Sequence, residues 1–319
     1  MSVLVTGGFG AIGAWVVRQL LAEDRDVVIL ARRDHPEKLA DVRDRIRVMI
    51  GSIEDPAVVQ HVMEREGITE VCHLAADHGG EQKSNPLGVI GINVAGSVNL
   101  LEAARRTGVA SFVLASSKSV YGPPSESYGY PAYVPVPEDS APAPLDFYGS
   151  TKLAAEALSQ SYTQLFGLPV TALRFASTFG PGKEIGRHGS FATVTAMIDA
   201  AWRGQEFSAN GADQRSDYIY YPDIARAVIA SVDRKDPTFE ILNIGTGRGY
   251  TLFEIAEECR KVKPGFRPQL TGGLEYTPGE PSLAFVLDVT RAEQILGFRA
   301  AFDMAAAVEH YGAFLDRPL

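Results

Sequence analysis

Short apolar runs at Val3–Val5, Val27–Leu30, Val48–Ile50, Val71–Leu74 and Phe112–Ala115 punctuate the first 115 residues. They are too short for helices and rich in β-branched side chains, the pattern of strands covered on both faces. Between them apolar positions recur at helical spacing, at Ile12, Val16, Val17, Leu20 and Leu21 and again at Val94, Val98, Leu101 and Ala104. Strands separated by helices of this length need crossover connections, which predicts an α/β fold with a doubly wound parallel sheet. After residue 115 the pattern changes. The proline-dense stretch 122–146 has no apolar periodicity and predicts a long surface excursion. A helix over 148–166 and a strand at Val170–Arg174 follow, and the glycine- and proline-rich pieces at 180–189, 204–216 and 263–281 predict a smaller mixed α/β lobe.

Composition narrows the partners. The chain has 319 residues and a formal charge of −9, which argues against nucleic acid or an anionic membrane surface as partner. No unbroken run of 18 apolar residues is present, so no membrane span is expected. The N-terminus turns glycine-rich before a signal-peptide core can form. Cys72 and Cys259 have neither disulfide-framework nor metal-ligand spacing. Each lies in an apolar pattern and reads as core. The expectation is an acidic protein of a reducing, cytoplasmic compartment, with no metal.

The first turn carries the first chemical signal. In Val5-Thr6-Gly7-Gly8-Phe9-Gly10-Ala11-Ile12-Gly13, three glycines stand between a strand and a helix. Gly7 permits the tight turn, Gly10 lets backbone approach a pyrophosphate, and Gly13 allows close helix–strand packing. The helix end then favours the phosphate charge. This predicts a dinucleotide-binding Rossmann domain over 1–176, with 217–246 returning to it, and a substrate-binding lobe from 177–216 and 247–319. The second strand is followed by Ala31-Arg32-Arg33-Asp34, with alanine where an NAD site would carry a ribose-binding carboxylate. Arg32 and Arg33 suit a 2′-phosphate, so NADP is preferred over NAD.

The second signal is Tyr148-Gly149-Ser150-Thr151-Lys152 at the start of the 148–166 helix, which sets Tyr148 and Lys152 on one face. A cation about 4 Å away stabilises a tyrosinate by about 4 kcal/mol at an effective dielectric near 20, moving a phenol toward the working range of a general base. Ser117, where the Phe112–Ala115 strand runs out, lies at the rim where doubly wound sheets bind ligands and can hold a substrate oxygen against the tyrosine.

Together these residues resemble the extended short-chain dehydrogenase/reductase family, in its nucleotide-sugar epimerase/dehydratase group. The likeness runs through TGGFGAIG at 6–13, HLAA at 73–76, NVAGSVNLLEAAR at 93–105, SSKSVYG at 116–122, YGSTK at 148–152, LRFASTFGPG at 173–182, DYIYYPDIARAV at 217–228 and LNIGTGRGYTLFEIAE at 242–257. It implies Ser117, Tyr148 and Lys152 as the catalytic group. It also implies Ala11 and Ile12 at the pyrophosphate, Ser52 and Ile53 near the adenine, Leu74, Ala75, Ala76 and Lys152 beside the ribose, Asn93 in the cofactor site, and Phe175 near the nicotinamide. A homodimer pairing the helices near 90–106 and 148–166 follows from the same resemblance.

Departures bear on the substrate. Lys118-Ser119 replaces the acidic pair that a dehydratase of this group carries after the catalytic hydroxyl residue, so dehydration is not expected. Ser177, Ser216 and Thr277 stand where the group has side chains that contact the nucleotide diphosphate, with Arg215 one residue off. His78, Lys118, Ser119, Ser177, Arg187 and Arg215 are the candidate substrate contacts. Lys183 and His188 flank Arg187 in a basic stretch. The expected activity is NAD(P)-dependent epimerisation of a sugar. The alternatives are a dehydrogenase or reductase with net redox on a small hydroxy or keto substrate, and a non-catalytic nucleotide sensor.

Overall fold

The computed structural model describes residues 2–78, 85–125, 127–182, 190–236, 238–276, 279 and 282–316. The apolar runs become β1 (Ser2–Thr6), β2 (Asp26–Ala31), β3 (Ile46–Ile50), β4 (Ile68–His73), β5 (Ser111–Ser117) and β6 (Val170–Phe175). β7 (Ser177–Phe179), β8 (Ser208–Ala209) and β9 (Ser216–Tyr220) lie outside their sheet, and β10 (Glu240–Ile244) returns to it. The order is β10-β6-β5-β4-β1-β2-β3, all parallel. β11 (Gly249–Tyr250) joins β9 and β7 in a three-stranded sheet, and β12 (Gln269–Leu270) pairs with β8.

The helices are α1 (Ala11–Ala22), α2 (Pro56–Arg65), α3 (Pro86–Ile90), α4 (Gly96–Thr107), α5 (Phe147–Phe166), α6 (Ser190–Arg203), α7 (Tyr221–Val232), α8 (Leu252–Val262), α9 (Thr290–Leu296) and α10 (Met304–Leu315). The unbroken apolar runs have a direct cause. Val3, Val5, Val27 and Ile29 face one core with Val16, Leu20, Ile224 and Val228 of α1 and α7. Leu4, Val28 and Leu30 face the other, with Val59, Val62, Leu100 and Leu101 of α2 and α4. Both faces of each strand are covered, so both alternate sets must be apolar. A third cluster, with Phe179, Met197, Tyr220, Ile255 and Tyr311, packs α6, α8 and α10 around the small three-stranded sheet.

Two expectations change. The proline-dense segment is pinned to the C-terminal part of the chain. Val136 is buried and bridges to Leu287, with backbone hydrogen bonds from Val136 N to Val286 O (2.8 Å) and from Asp288 N to Val136 O (2.9 Å). In addition, Pro86–Thr107 is one continuous helix, joined through Gly91–Ala95, and is long and apolar enough by length and composition to cross a bilayer. A search for unbroken apolar runs misses it because Asn93, Ser97 and Asn99 interrupt it. Leu100, Leu101, Ala103 and Ala104 of this helix lie in the core beneath the sheet.

Candidate active site

In a parallel sheet the C-terminal ends of β1, β4, β5 and β6 share one rim, and the candidate residues gather there. Gly7 has φ +72°, and a Cβ on it would lie 2.8 Å from Ala75 N. A Cβ on Gly13 would collide with the Gly7 carbonyl. Only glycine lets the turn, the start of α1 and the strand end after β4 come this close. Gly10 caps α1 with no side-chain bond, so the half-buried first turn at Ala11 and Ile12 presents its N–H groups and positive dipole end to the rim. A tight glycine turn ending on a helix with no side-chain cap fits a pyrophosphate.

Beside it runs a hydrogen-bonded chain whose direction is fixed. Ser97 Oγ donates to Asn93 O (2.7 Å) and so accepts from His73 Nε2 (2.9 Å). His73 Nδ1 is then the acceptor for the Thr6 hydroxyl (2.7 Å). Burial, helped by the Lys152 charge, pushes the His73 pKa down to about 3, so the ring stays neutral. Asn93 gives both amide protons to protein acceptors, Asp77 O (2.8 Å) and Thr151 Oγ1 (3.0 Å), while its Oδ1 accepts from Asp77 N (2.8 Å). Its side chain ties the loop after β4 to the helix that carries Tyr148, in place of the direct cofactor contact expected from the sequence.

α5 starts at Asp146, whose carboxylate accepts from Gly149 N (2.8 Å). A Cβ on Gly149 would come within 2.7 Å of Ser119 O, so this glycine brings the helix start against the end of β5. Ser117 lies close enough to Tyr148 to lower its pKa, donates to Ser119 Oγ (3.1 Å) and accepts from Ser119 N (3.1 Å). Lys152 donates to Ala115 O (2.8 Å), with its Nζ 5.8 Å from the Tyr148 ring centre. The spacing argument expected the lysine to pull the phenol down, but Lys152 contributes no pull on Tyr148 and burial sets the direction. It raises the Tyr148 pKa to about 12, with Ser117 pulling the other way. Burial also lowers Lys152 to about 8, against the upward pull of Glu156. Both groups are biased toward neutrality, so at neutral pH the tyrosine holds its proton. The His78 ring packs against Tyr148, with ring centres 5.2 Å apart.

The other assignments divide. Leu74, Ala75 and Ala76 are half-buried beside the glycine turn, and Phe175 is buried at the end of β6 in register with Ser117. Arg32 and Arg33 are exposed just past β2, while Asp34 is taken by Arg43 (2.7 Å). Ser52 is half-buried, and Ile53 is wedged against Gly96. Ser119 lies buried beside Ser117, and Ser177 Oγ lies 3.2 Å from Ser216 Oγ. Arg215 is committed elsewhere, donating to Gly249 O (2.6 Å) and pairing with Glu254 (3.1 Å). Arg187, Lys183 and His188 lie outside the described residues, as does Thr277. Among the described residues no cluster of metal-ligating side chains occurs. Cys72 and Cys259 are both free and buried.

Lys118 is also redirected. It is 1% exposed and donates to Ser216 Oγ (2.9 Å) and Leu283 O (2.8 Å), with Nζ 4.8 Å from the Phe285 ring centre. An ammonium used this way ties β5 to the C-terminal segment and is not open to a substrate. Burial lowers its pKa to about 7, although Asp217 opposes the shift. Below that value both folded and unfolded states hold the proton, and the desolvation penalty is complete. Above it the unfolded state binds more protons, so stability rises with pH. The stability difference between Lys118→Met and the wild type should therefore shift in the wild type's favour by about 3 kcal/mol between about pH 6 and pH 9. Urea midpoints at the two pH values measure this, and an unchanged difference would contradict it.

The sequence reading missed the supporting residues, Thr6, His73, Thr151 and the buried pair Glu156–Arg174. Arg174 Nε and Nη2 meet Glu156 at 3.0 and 2.7 Å, and Ser116 donates to the same carboxylate. Their only signal is a polar residue at the end of an apolar strand, or one helical turn beyond Lys152.

A doubly wound sheet with a glycine turn on its first strand, and with serine, tyrosine and lysine on one rim, defines a nicotinamide-dinucleotide enzyme of the short-chain dehydrogenase type. Residues 3–245 match the model of the NAD dependent epimerase/dehydratase family, and the chain belongs to that family. It is 30% identical to a UDP-glucose 4-epimerase of Corynebacterium glutamicum, over 98% of this chain and 95% of that protein. Among solved structures it is similar to the UDP-glucose 4-epimerase of Thermotoga maritima with UDP-glucose (TM-score 0.85, 27% identity, 99% of this chain and 100% of that one). It is also similar to the Thermus thermophilus UDP-glucose 4-epimerase complex with NAD (TM-score 0.82, 26% identity, 98% and 99% covered).

Proposed function

We propose that the protein is an NAD(P)-dependent sugar epimerase acting on a nucleotide sugar. The observation that carries this reading is the gathering of Ser117, Tyr148 and Lys152 at the end of β5 and the start of α5, on the same rim as the close-packed glycine turn. The substrates and cofactor named with the similar proteins support the substrate class. A bound nicotinamide supplies a reversible hydride acceptor. The chain's residues handle the proton and the positioning. Ser117 holds the sugar hydroxyl against Tyr148. The phenol oxygen takes the proton as the alcohol is oxidised and gives it back when the carbonyl is reduced. Lys152 stabilises the phenolate while the proton is away, and His78, packed on the tyrosine ring, borders the sugar. With the dinucleotide bound, re-protonation by Tyr148 on reduction of a turned carbonyl would give the epimer. Incubation with UDP-glucose should yield an epimer with no net change in cofactor absorbance. A stoichiometric absorbance change would point to the dehydrogenase reading, and no product from any nucleotide sugar would defeat the proposal.

NADP is proposed over NAD because Ala31 offers no ribose carboxylate and the exposed Arg32 and Arg33 stand next to it. Charge-assisted bonds to a 2′-phosphate are worth about tenfold to a hundredfold in affinity. The Arg32→Ser/Arg33→Ser protein should lose that factor for NADP while binding of NAD changes little. Equal wild-type affinities in a fluorescence titration would contradict the preference.

A homodimer is proposed through the Pro86–Thr107 helix and α5. Leu87 (77% exposed), Leu165 (73%) and Phe166 (54%) leave apolar surface on these two helices. Light scattering should give twice the 34.4 kDa chain mass, and a value at the chain mass would reject the dimer.

A further inference from the structure

The proton chemistry proposed above leaves the ammonium of Lys118 unused, although this residue directly follows Ser117. Its side chain runs away from the seven-stranded sheet. Nζ donates to Ser216 Oγ at the start of β9 (2.9 Å) and to Leu283 O in the C-terminal segment (2.8 Å). The Phe285 ring, with its centre 4.8 Å from Nζ, is the third neighbour. Two oxygens and an aromatic face around three protons give the ammonium a defined place. Ser216 Oγ in turn lies 3.2 Å from Ser177 Oγ on β7, so the tie reaches a third segment. Asp217 attracts Lys118 from beside Ser216, while its own carboxylate accepts from Thr246 N (2.9 Å), Thr246 Oγ1 (2.8 Å) and Gly247 N (3.1 Å).

The other end of the tie is mechanical. Ser117 ends β5 and caps the one-turn helix Lys118–Tyr121, with its Oγ accepting from Ser119 N and donating to Ser119 Oγ, both at 3.1 Å. The direction of the Ser117 hydroxyl is therefore set by that turn. The turn is held at its far end as well, where Tyr121 Oη donates to Asn243 Oδ1 (2.8 Å), and at its middle, where Val120 O accepts from Ala143 N (3.0 Å). Lys118 holds the near end, one residue from the serine.

This tie is costly. An ammonium 1% exposed is desolvated, and an apolar side chain of similar volume would fill the space without that penalty. The cost falls beside the hydroxyl that meets the substrate oxygen, where placement matters most. A displacement of about 1 Å at a reacting centre costs up to about a hundredfold in rate.

We infer that Lys118 is a positioning residue for the reaction, fixing the Ser117 hydroxyl against Tyr148 by tying its turn to β9 and the C-terminal segment. The inference rests on the role given to Ser117 in the previous section. It is tested by a double-mutant cycle on the full chain, with kcat and KM for UDP-glucose measured in wild type, Lys118→Met, Ser117→Ala and the double variant. Ser117→Ala should lower kcat by about a hundredfold. Lys118→Met should lower kcat by about tenfold with KM within about twofold of wild type. In the Ser117→Ala background the same substitution should cost no more than about twofold, because the hydroxyl it positions is gone. A side chain that only supports the fold would cost the same factor in both backgrounds. If Lys118→Met does not fold, Ser216→Ala removes one acceptor of the same ammonium and carries the cycle with an expected loss of about threefold. An unchanged kcat, an equal loss in both backgrounds, or a loss confined to KM would overturn the inference. If Ser117→Ala keeps the wild-type kcat, or if UDP-glucose is not turned over, the reading of the previous section fails and the inference falls with it.

Discussion

Tyr148→Phe should lower kcat by about a thousandfold, with a much smaller change in KM, because it removes the one group placed to move the substrate proton and keeps the ring. Phenylalanine retains the packing against His78 and the Lys152 stem, so dinucleotide binding and the thermal midpoint should stay near wild type. A variant with full activity would remove Tyr148 from the chemistry. The pH dependence carries a sign of its own. In the cofactor-free protein Tyr148 is pushed up to about 12 and Lys152 down to about 8. The productive pair is a tyrosinate beside a charged lysine. Its fraction grows about tenfold per pH unit while Lys152 remains charged. Near pH 8 the growth stops, because each further gain in tyrosinate is matched by loss of lysinium. Activity in the oxidative direction should therefore climb from about pH 6 and level off near 8. A flat profile through that range would count against this pairing.

Arg174→Met should destabilise the fold by about 3–5 kcal/mol, read as a shift in urea midpoint. The substitution removes a guanidinium that meets Glu156 through two nitrogens and leaves a carboxylate 2% exposed with only the Ser116 hydroxyl. Glu156 sits one turn beyond Lys152 on α5, so the pair fixes α5 against β6. Replacing both residues, as Glu156→Gln/Arg174→Met, removes both charges of the pair and should recover much of the loss. A single variant as stable as wild type would show that the pair is not what holds this helix.

Both the sheet and the residues gathered at its rim could be read from sequence where a local rule forces the residue type. A strand covered on both faces must be continuously apolar, and Val3–Val5 through Phe112–Ala115 are strands for that reason. The glycine turn is legible because no other residue allows Gly7 and Gly13 to lie against Ala75 and each other. Tyr148 and Lys152 are legible because helical spacing puts them on one face. What stayed hidden depends on contacts distant in sequence. Lys118 follows Ser117 and invites a substrate role, yet its ammonium is taken by Ser216 and Leu283, far along the chain. Arg215 is spoken for by Glu254 in the same way. Asn93 and His73 have unremarkable neighbours in sequence, and only the fold shows them as links between β1, β4 and α5. The charge state of the site was hidden too, since desolvation is set by everything packed around a group and it is what raises Tyr148.

The central claim is that this rim oxidises and re-reduces one carbon of a sugar while Tyr148 carries only the oxygen's proton. A nucleotide sugar bearing deuterium on the carbon to be inverted tests it most directly, with the product read by NMR. The account predicts an epimer that keeps its deuterium at that carbon, with product formation collapsing in Tyr148→Phe. Loss of the label to solvent would mean that the carbon is deprotonated, and would contradict it.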